Sequence, residues 1–171
     1  MNRQYLHSEY PFSEKKHPIT LICDNVISPA NVGSLFRICD AFGAEELIFC
    51  GTEIDVNSPR LKKTARSTIE NTPYKCVENT SGLITKFKEN GYLICALEIT
   101  SESKPVNEFK INEDQKVVLI IGNEKHGISE NMLKSSDYCL HIPMYGKNSS
   151  MNVTTATAVC LYTIISTHFE S

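Results

Sequence analysis

Residues 117–121 read Val-Val-Leu-Ile-Ile, an unbroken apolar run stopped by Gly122. A strand with one wet face alternates apolar and polar residues. A continuous run instead suits a central strand covered on both faces, which is the situation of a parallel sheet flanked by helices. Shorter runs at Ile19–Cys23, Leu47–Cys50, Tyr74–Val77, Tyr92–Leu97 and Tyr138–Ile142 predict further strands. Between them lie helical patterns. Ser28-Pro29 is a helix-start signal, a capping hydroxyl followed by Pro at the first helical position, and Val32, Leu35, Phe36, Cys39 and Phe42 then repeat at helical spacing up to Gly43. One or two helical turns are expected within Asn57–Arg66, then helices over Ser81–Asn90 and Ser129–Ser135, a loop over Pro105–Gln115, and a terminal amphipathic helix from Met151 to about His168. Strands alternating with helices predict an α/β fold, a mostly parallel sheet with helices on both faces.

The chain has 171 residues, the size of one domain: an N-terminal arm over 1–18, polar and carrying Pro11 and Pro18, and a single domain over 19–171. Hydrophobic residues at 41% and charged residues at 22% exclude a disordered or collagen-like chain. Seven cysteines without a C-x-x-C pair argue against a disulfide framework or a zinc site, and all seven are expected to be packing thiols in a reducing compartment. No secretory signal or bilayer-length apolar stretch is found, so the expected location is cytoplasmic.

In parallel sheets ligands bind beyond the carboxyl ends of strands. The segments to inspect therefore follow Cys23, Leu97, Ile121 and Ile142. The first contains Asn31, Gly33 and Arg37. Asn31 is placed for helix capping, and Arg37, in an otherwise apolar helix, either snorkels to an acid such as Asp40 or Asp24 or presents a fixed guanidinium to phosphate. The second runs Gly122-Asn-Glu124-Lys-His-Gly127-Ile-Ser129. It nearly matches a phosphate-binding P-loop but has Ile128 where the motif needs Lys. Glu124 in this Gly-flanked loop could simply cap the helix from Ser129. The third runs Ile142-Pro-Met-Tyr-Gly-Lys-Asn-Ser-Ser150-Met151-Asn152, with Ser150 or Asn152 as a natural helix cap. No metal-ligand spacing of histidines and no G-x-S-x-G elbow occurs.

Together and in this order the three segments resemble the RNA ribose 2′-O-methyltransferases of the SPOUT class, in the SpoU (TrmH-like) family. Asn31, Gly33 and Arg37 resemble its N-x-G-x-x-x-R motif; Gly122, Asn123, Glu124 and Gly127 its G-N-E-x-x-G motif; and Ile142, Pro143, Met144, Ser150, Met151 and Asn152 its I-P-M…S-[LM]-N motif. The resemblance implies a C-terminal trefoil knot, an exception to the usual absence of knots. It also implies S-adenosylmethionine as cofactor, held through backbone groups at Leu97, Gly122, Ile142 and Met151, with no metal. It implies a homodimer, and it implies a catalytic group in which Arg37 serves the ribose hydroxyl while Asn31, Glu124, Ser150 and Asn152 shape its surroundings. A free guanidinium keeps its proton above about pH 12, so stabilisation of developing alkoxide charge suits Arg37 better than outright proton removal.

Two other readings stand beside this one: a nucleotide-binding regulator or NTPase using the Gly122–Gly127 loop, and a non-catalytic RNA-binding relative. The net charge of −3 does not suggest an RNA partner, but Arg60, Lys62, Lys63 and Arg66 fall in a stretch without an acid, a candidate phosphate-contacting stripe. With only a short arm ahead of the core, tRNA is favoured over rRNA as substrate.

Overall fold

The computed structural model describes residues 3, 4, 6, 9, 14–80, 82–148 and 150–169. Much of the expected arm, and Ser81 at the expected start of a helix, lie outside these. The run at 117–121 is the heart of β6 (Lys116–Ile121), and all five of its apolar side chains are fully buried. Around it are β1 (His17–Asp24), α1 (Pro29–Ala41), β2 (Ala44–Cys50), α2 (Pro59–Ala65), α3 (Thr68–Asn71), β3 (Tyr74–Val77), α4 (Leu83–Glu89) and β4 (Tyr92–Leu97). The chain continues through β5 (Lys104–Pro105), a 3-10 turn (Val106–Glu108), β6, α5 (Glu130–Ser135), β7 (Tyr138–His141) and α6 (Val153–His168). The seven strands form one sheet in the order β3-β2-β1-β6-β4-β7-β5, and every pairing in it is parallel.

Side chains alternate across the sheet, and two apolar layers result. On one face Leu21, Leu119, Phe49 and Cys95 pack with Leu35 and Phe36 of α1 and Leu161 and Ile164 of α6. On the other, Ile22, Ile48, Val118 and Ile120 pack with Ile84 of α4 and Met132 of α5. Helices thus cover both faces, as the continuous run requires, and each fully buried Leu or Ile contributes roughly 1.5–3 kcal/mol.

The departures from expectation are local. β1 starts at His17, inside the segment read as an arm, and β2 starts at Ala44, ahead of Leu47, because Glu45 and Glu46 mask a strand whose position is set by pairing with β1. The expected 105–115 loop begins on the second residue of a two-residue edge strand, where Pro is tolerated, and holds the buried anchors Val106 and Phe109. Cys23, Cys39, Cys50, Cys95 and Cys160 are buried, and burial pushes the thiols of Cys39 and Cys160 up to about 12. Cys76, by contrast, is exposed on β3, so uniform packing does not extend to it. Among the described residues no helix is long and apolar enough to cross a membrane.

Register brings the strands to a common finish. Cys23 lies opposite Ile121, Ala96 opposite Ile120, and Leu97 opposite Leu140, so the segments leaving β1, β6, β4 and β7 emerge side by side.

Between α2 and α3 the chain turns through Arg66 (φ 57°, ψ −128°) and Ser67 (φ −86°, ψ −2°). These are the central angles of a type II′ turn, whose first position belongs to Gly. An Arg held there costs on the order of 1–3 kcal/mol. Arg66→Gly is therefore expected to stabilise the fold by about 1 kcal/mol after the added freedom of the unfolded chain is subtracted. Urea unfolding checks this, and an unchanged or lower midpoint would show that Arg66 is unstrained.

Candidate active site

The loop after β6 is fixed by its own second residue. Asn123 exchanges two backbone bonds with Gly127, at 3.0 and 2.9 Å, and its Oδ1 accepts the amides of Lys125 and His126 at 2.9 and 3.1 Å. Its Nδ2 donates to the carbonyl of Asn25 at 2.7 Å, anchoring the loop to the end of β1. Gly122 admits no side chain, because a Cβ there would lie 2.2 Å from the Gly127 backbone, and Gly127 itself adopts φ +68°. Two carboxylates hold the loop's far end. Glu98 Oε2 accepts the amide of Ile128 at 3.2 Å, and buried Asp24 Oδ2 accepts that of Ser129 at 2.7 Å.

This frame carries Glu124 to the start of α1. Its Oε1 accepts from Asn31 Nδ2 at 2.8 Å and from the amide of Ser28 at 3.1 Å. Asn31 Oδ1 in turn accepts from Asn152 Nδ2 at 3.3 Å, while Asn152 Oδ1 accepts from the amide of Thr154 at 2.8 Å and so caps α6. Asn31, Glu124 and Asn152, drawn from three segments far apart in sequence, thus form one polar chain. Burial alone would raise the Glu124 carboxyl, but the bonds from Asn31, Ser28 and neighbouring backbone outweigh it and hold the group below its ordinary value.

Several capping expectations are corrected here. Ser28 makes no side-chain cap bond and gives its backbone amide to Glu124 instead. Asn31 turns its amide to Glu124 rather than capping α1. Glu124 does not cap the helix after Ser129, because Asp24 takes the Ser129 amide. Arg37 is exposed and has neither Asp24 nor Asp40 as a partner; among the described residues it makes no ion pair or hydrogen bond. It lies six residues beyond Asn31, about 9 Å along α1. Gly33 lets α2 close on α1, since a Cβ there would lie 2.1 Å from Thr64 Oγ1. Arg60, Lys62, Lys63 and Arg66 are exposed on α2 and its end.

Beside the polar chain opens a cavity of about 390 Å³, within the range of small-molecule sites. Leu97, Gly122, Ile142 and Met151 all line it, with Glu124, Ser150 and Asn152. Met144 of the third motif lines it too, as do Glu98, Ile99 and His141, which were not singled out from the sequence. The signal for Glu98 was its place directly after a strand, the same place Asp24 holds. The cavity offers a small molecule loop backbone, the apolar side chains of Leu97, Ile142 and Met151, and the polar groups of Glu98, Glu124 and Asn152. It does not suit a triphosphate, because the amides of Lys125, His126 and Gly127 are already occupied inside the loop. Among the described residues no cluster of three metal-ligating side chains occurs.

Residues 18–162 match the family model described as the SpoU rRNA methylase family. The 23S rRNA (guanosine-2′-O-)-methyltransferase RlmB of Pseudomonas syringae is 29% identical over 145 residues, covering 85% of this chain and 57% of that protein. The A. aeolicus TrmH/SpoU tRNA modifying enzyme superimposes with a TM-score of 0.78 at 28% identity, over 88% of this chain and 75% of that one. The SpoU methyltransferase AviRb of Streptomyces viridochromogenes, solved in complex with AdoMet, does so with a TM-score of 0.76 at 27% identity, over 92% and 59%. The chain spans 39%, 66% and 57% of the length of three curated relatives it matches.

A carboxyl held low in the fold stabilises it fully above the ordinary carboxylate range, and that contribution is lost as pH falls through the lowered value. Asn31→Ala should therefore raise the Glu124 titration midpoint, followed by carboxyl carbon NMR. It should also lower stability relative to wild type at neutral pH, with the gap closing in acid. An unmoved midpoint would show that the Asn31–Glu124 bond does not govern this group.

Proposed function

The chain belongs to the SpoU rRNA methylase family, and we propose that it methylates a ribose 2′-hydroxyl of RNA using S-adenosylmethionine, with tRNA favoured over rRNA. The observation that carries this reading is the meeting of the Asn31–Glu124–Asn152 chain with a cavity lined by Leu97, Gly122, Ile142 and Met151. The first group suits a hydroxyl, the second a cofactor held by loops. AviRb, of similar fold, was solved with AdoMet, and the relative RlmB is named for guanosine 2′-O-methylation.

When bound, the cofactor supplies a methyl group on a sulfonium, so activation by metal is not needed and alignment is the main task. Leu97, Gly122, Ile142 and Met151 would hold it by backbone and apolar contact. Asn31 and Ser28 keep Glu124 ionised and oriented, and Asn152 ties that carboxylate to α6. Arg37, exposed and unpaired among the described residues, binds the phosphate next to the target ribose and stabilises the negative charge that builds on the 2′-oxygen as the O–CH3 bond forms, the sulfur–methyl bond breaks and the hydroxyl proton passes to water. Arg60, Lys62, Lys63 and Arg66 extend the phosphate track along α2. Exposed Val159 and Tyr162 on α6 support a homodimer, and the seating of Ile142, Met144 and Met151 beside residues of the loops after β4 and β6 supports the trefoil knot.

Incubation with methyl-labelled cofactor and separated tRNA or rRNA, followed by nucleoside mass spectrometry, tests the proposal. A single 2′-O-methylated nucleotide in tRNA is expected, and label in neither RNA would refute it. Arg37→Lys keeps charge but loses the planar fork, so turnover should fall by about 100-fold or more; near-normal turnover would remove the bidentate role. Lys62→Ala with Lys63→Ala should weaken RNA binding, flatten its salt dependence and leave cofactor affinity unchanged.

A further inference from the structure

We propose that the ring of Tyr145 is a stacking platform for an unpaired base of the RNA substrate at the rim of the cavity; this rests on the RNA-methylating reading above. Tyr145 is 96% exposed, more than any other large apolar or aromatic side chain described. It follows Met144, which lines the cavity, and it makes no hydrogen bond or ring contact among the described residues. Among the described residues beyond its chain neighbours, nothing approaches within 4 Å of where a Cβ on the next residue, Gly146, would stand, so the backbone that carries the ring is itself open to solvent. Ile99, 54% exposed on the loop after β4, is an exposed apolar residue in the wall of that cavity.

A wet aromatic ring calls for a flat apolar cover, and a nucleobase supplies one with little regard to sequence. Charge selects RNA over a second copy of this chain. The stretch from Ile142 to Asn152 holds one cation, exposed Lys147, and no acid. A base for Tyr145 and a phosphate for Lys147 are the two halves of one nucleotide. A protein partner would need an apolar patch around its anchor, yet Tyr145 is followed by Gly146, Lys147 and Asn148.

Tyr145→Ala, Tyr145→Phe and Lys147→Ala in the full chain test this with radiolabelled tRNA and rRNA in filter binding. Tyr145→Ala should weaken binding about 5- to 150-fold with no change in salt slope, and Tyr145→Phe should bind as wild type. Lys147→Ala should lower the salt slope by about one. Cofactor affinity by calorimetry and mass by sedimentation should be unaltered in all three. Wild-type affinity in Tyr145→Ala overturns the stacking role, as does a Phe variant as weak as Ala, which would assign the contact to the hydroxyl. A changed sedimentation mass in Tyr145→Ala would mean that a second copy covers the ring. Wild-type protein that binds cofactor but neither RNA refutes the functional reading beneath the proposal, a result separate from RNA binding that ignores Tyr145.

Discussion

The bond from the Ser129 amide to buried Asp24 at 2.7 Å, with that from Asn123 Nδ2 to the Asn25 carbonyl at 2.7 Å, ties the ends of the two central strands together. Everything at the site depends on this tie. Adjacent parallel strands end at one level, but the chain leaving each is otherwise free to diverge. Here the loop after β6 is stapled to β1 at both its start and its finish, and Glu124 between the staples has one place to go. It arrives beside Ser28 and Asn31, which complete its hydrogen bonding. A carboxylate on a loose loop would lose its partners to water, whereas one carried by a braced loop keeps both its position and its partners.

The same bracing explains which residue types the loop tolerates. Gly122 and Gly127 touch through their backbones, and no side chain fits between them. The turn they make leaves inward-facing amides, and Asn123, Glu98 and Asp24 satisfy these one by one. That is why the loop, for all its likeness in spacing to a P-loop, has no free cluster of amides for phosphate. Its cavity-facing edge instead brings Gly122, Asn123 and Glu124 beside the apolar side chains of Leu97, Ile142 and Met151.

What could be read in the sequence was whatever depends on neighbours along the chain. The run at 117–121 announced a central strand, and Val32, Leu35, Phe36 and Cys39 announced the buried face of α1. The resemblance of three short motifs then named residues that do meet: Asn31, Glu124 and Asn152 are bonded, and Leu97, Gly122, Ile142 and Met151 share a cavity. Partners distant along the chain could not be read. Ser28 and Asn31 looked like helix caps because their true acceptor, Glu124, lies more than ninety residues away. Asp24 looked like a partner for Arg37, and Glu98 drew no attention, because the amides they brace belong to another segment. Local chemistry offered Ser28, Asn31 and Asp24 a local role, and the tertiary contact displaced it.

The formal charge of −3 shows the same gap between count and placement. Many of the acids are already engaged. Glu98, Asp24 and Glu124 serve backbone amides, while Glu46, Asp137 and Glu130 pair with Lys75, Lys88 and Lys134. Such pairs contribute little to stability at the surface, but each cancels a charge locally. Arg37, Arg60, Lys63 and Arg66, by contrast, have no carboxylate partner among the described residues. Three of these four stand on or just after α2, which packs on α1 at Gly33, two residues from the Asn31 that holds Glu124. A group of cations therefore stands on the helix packed against α1 although the chain total is negative, and a count of charges along the chain could not show that placement.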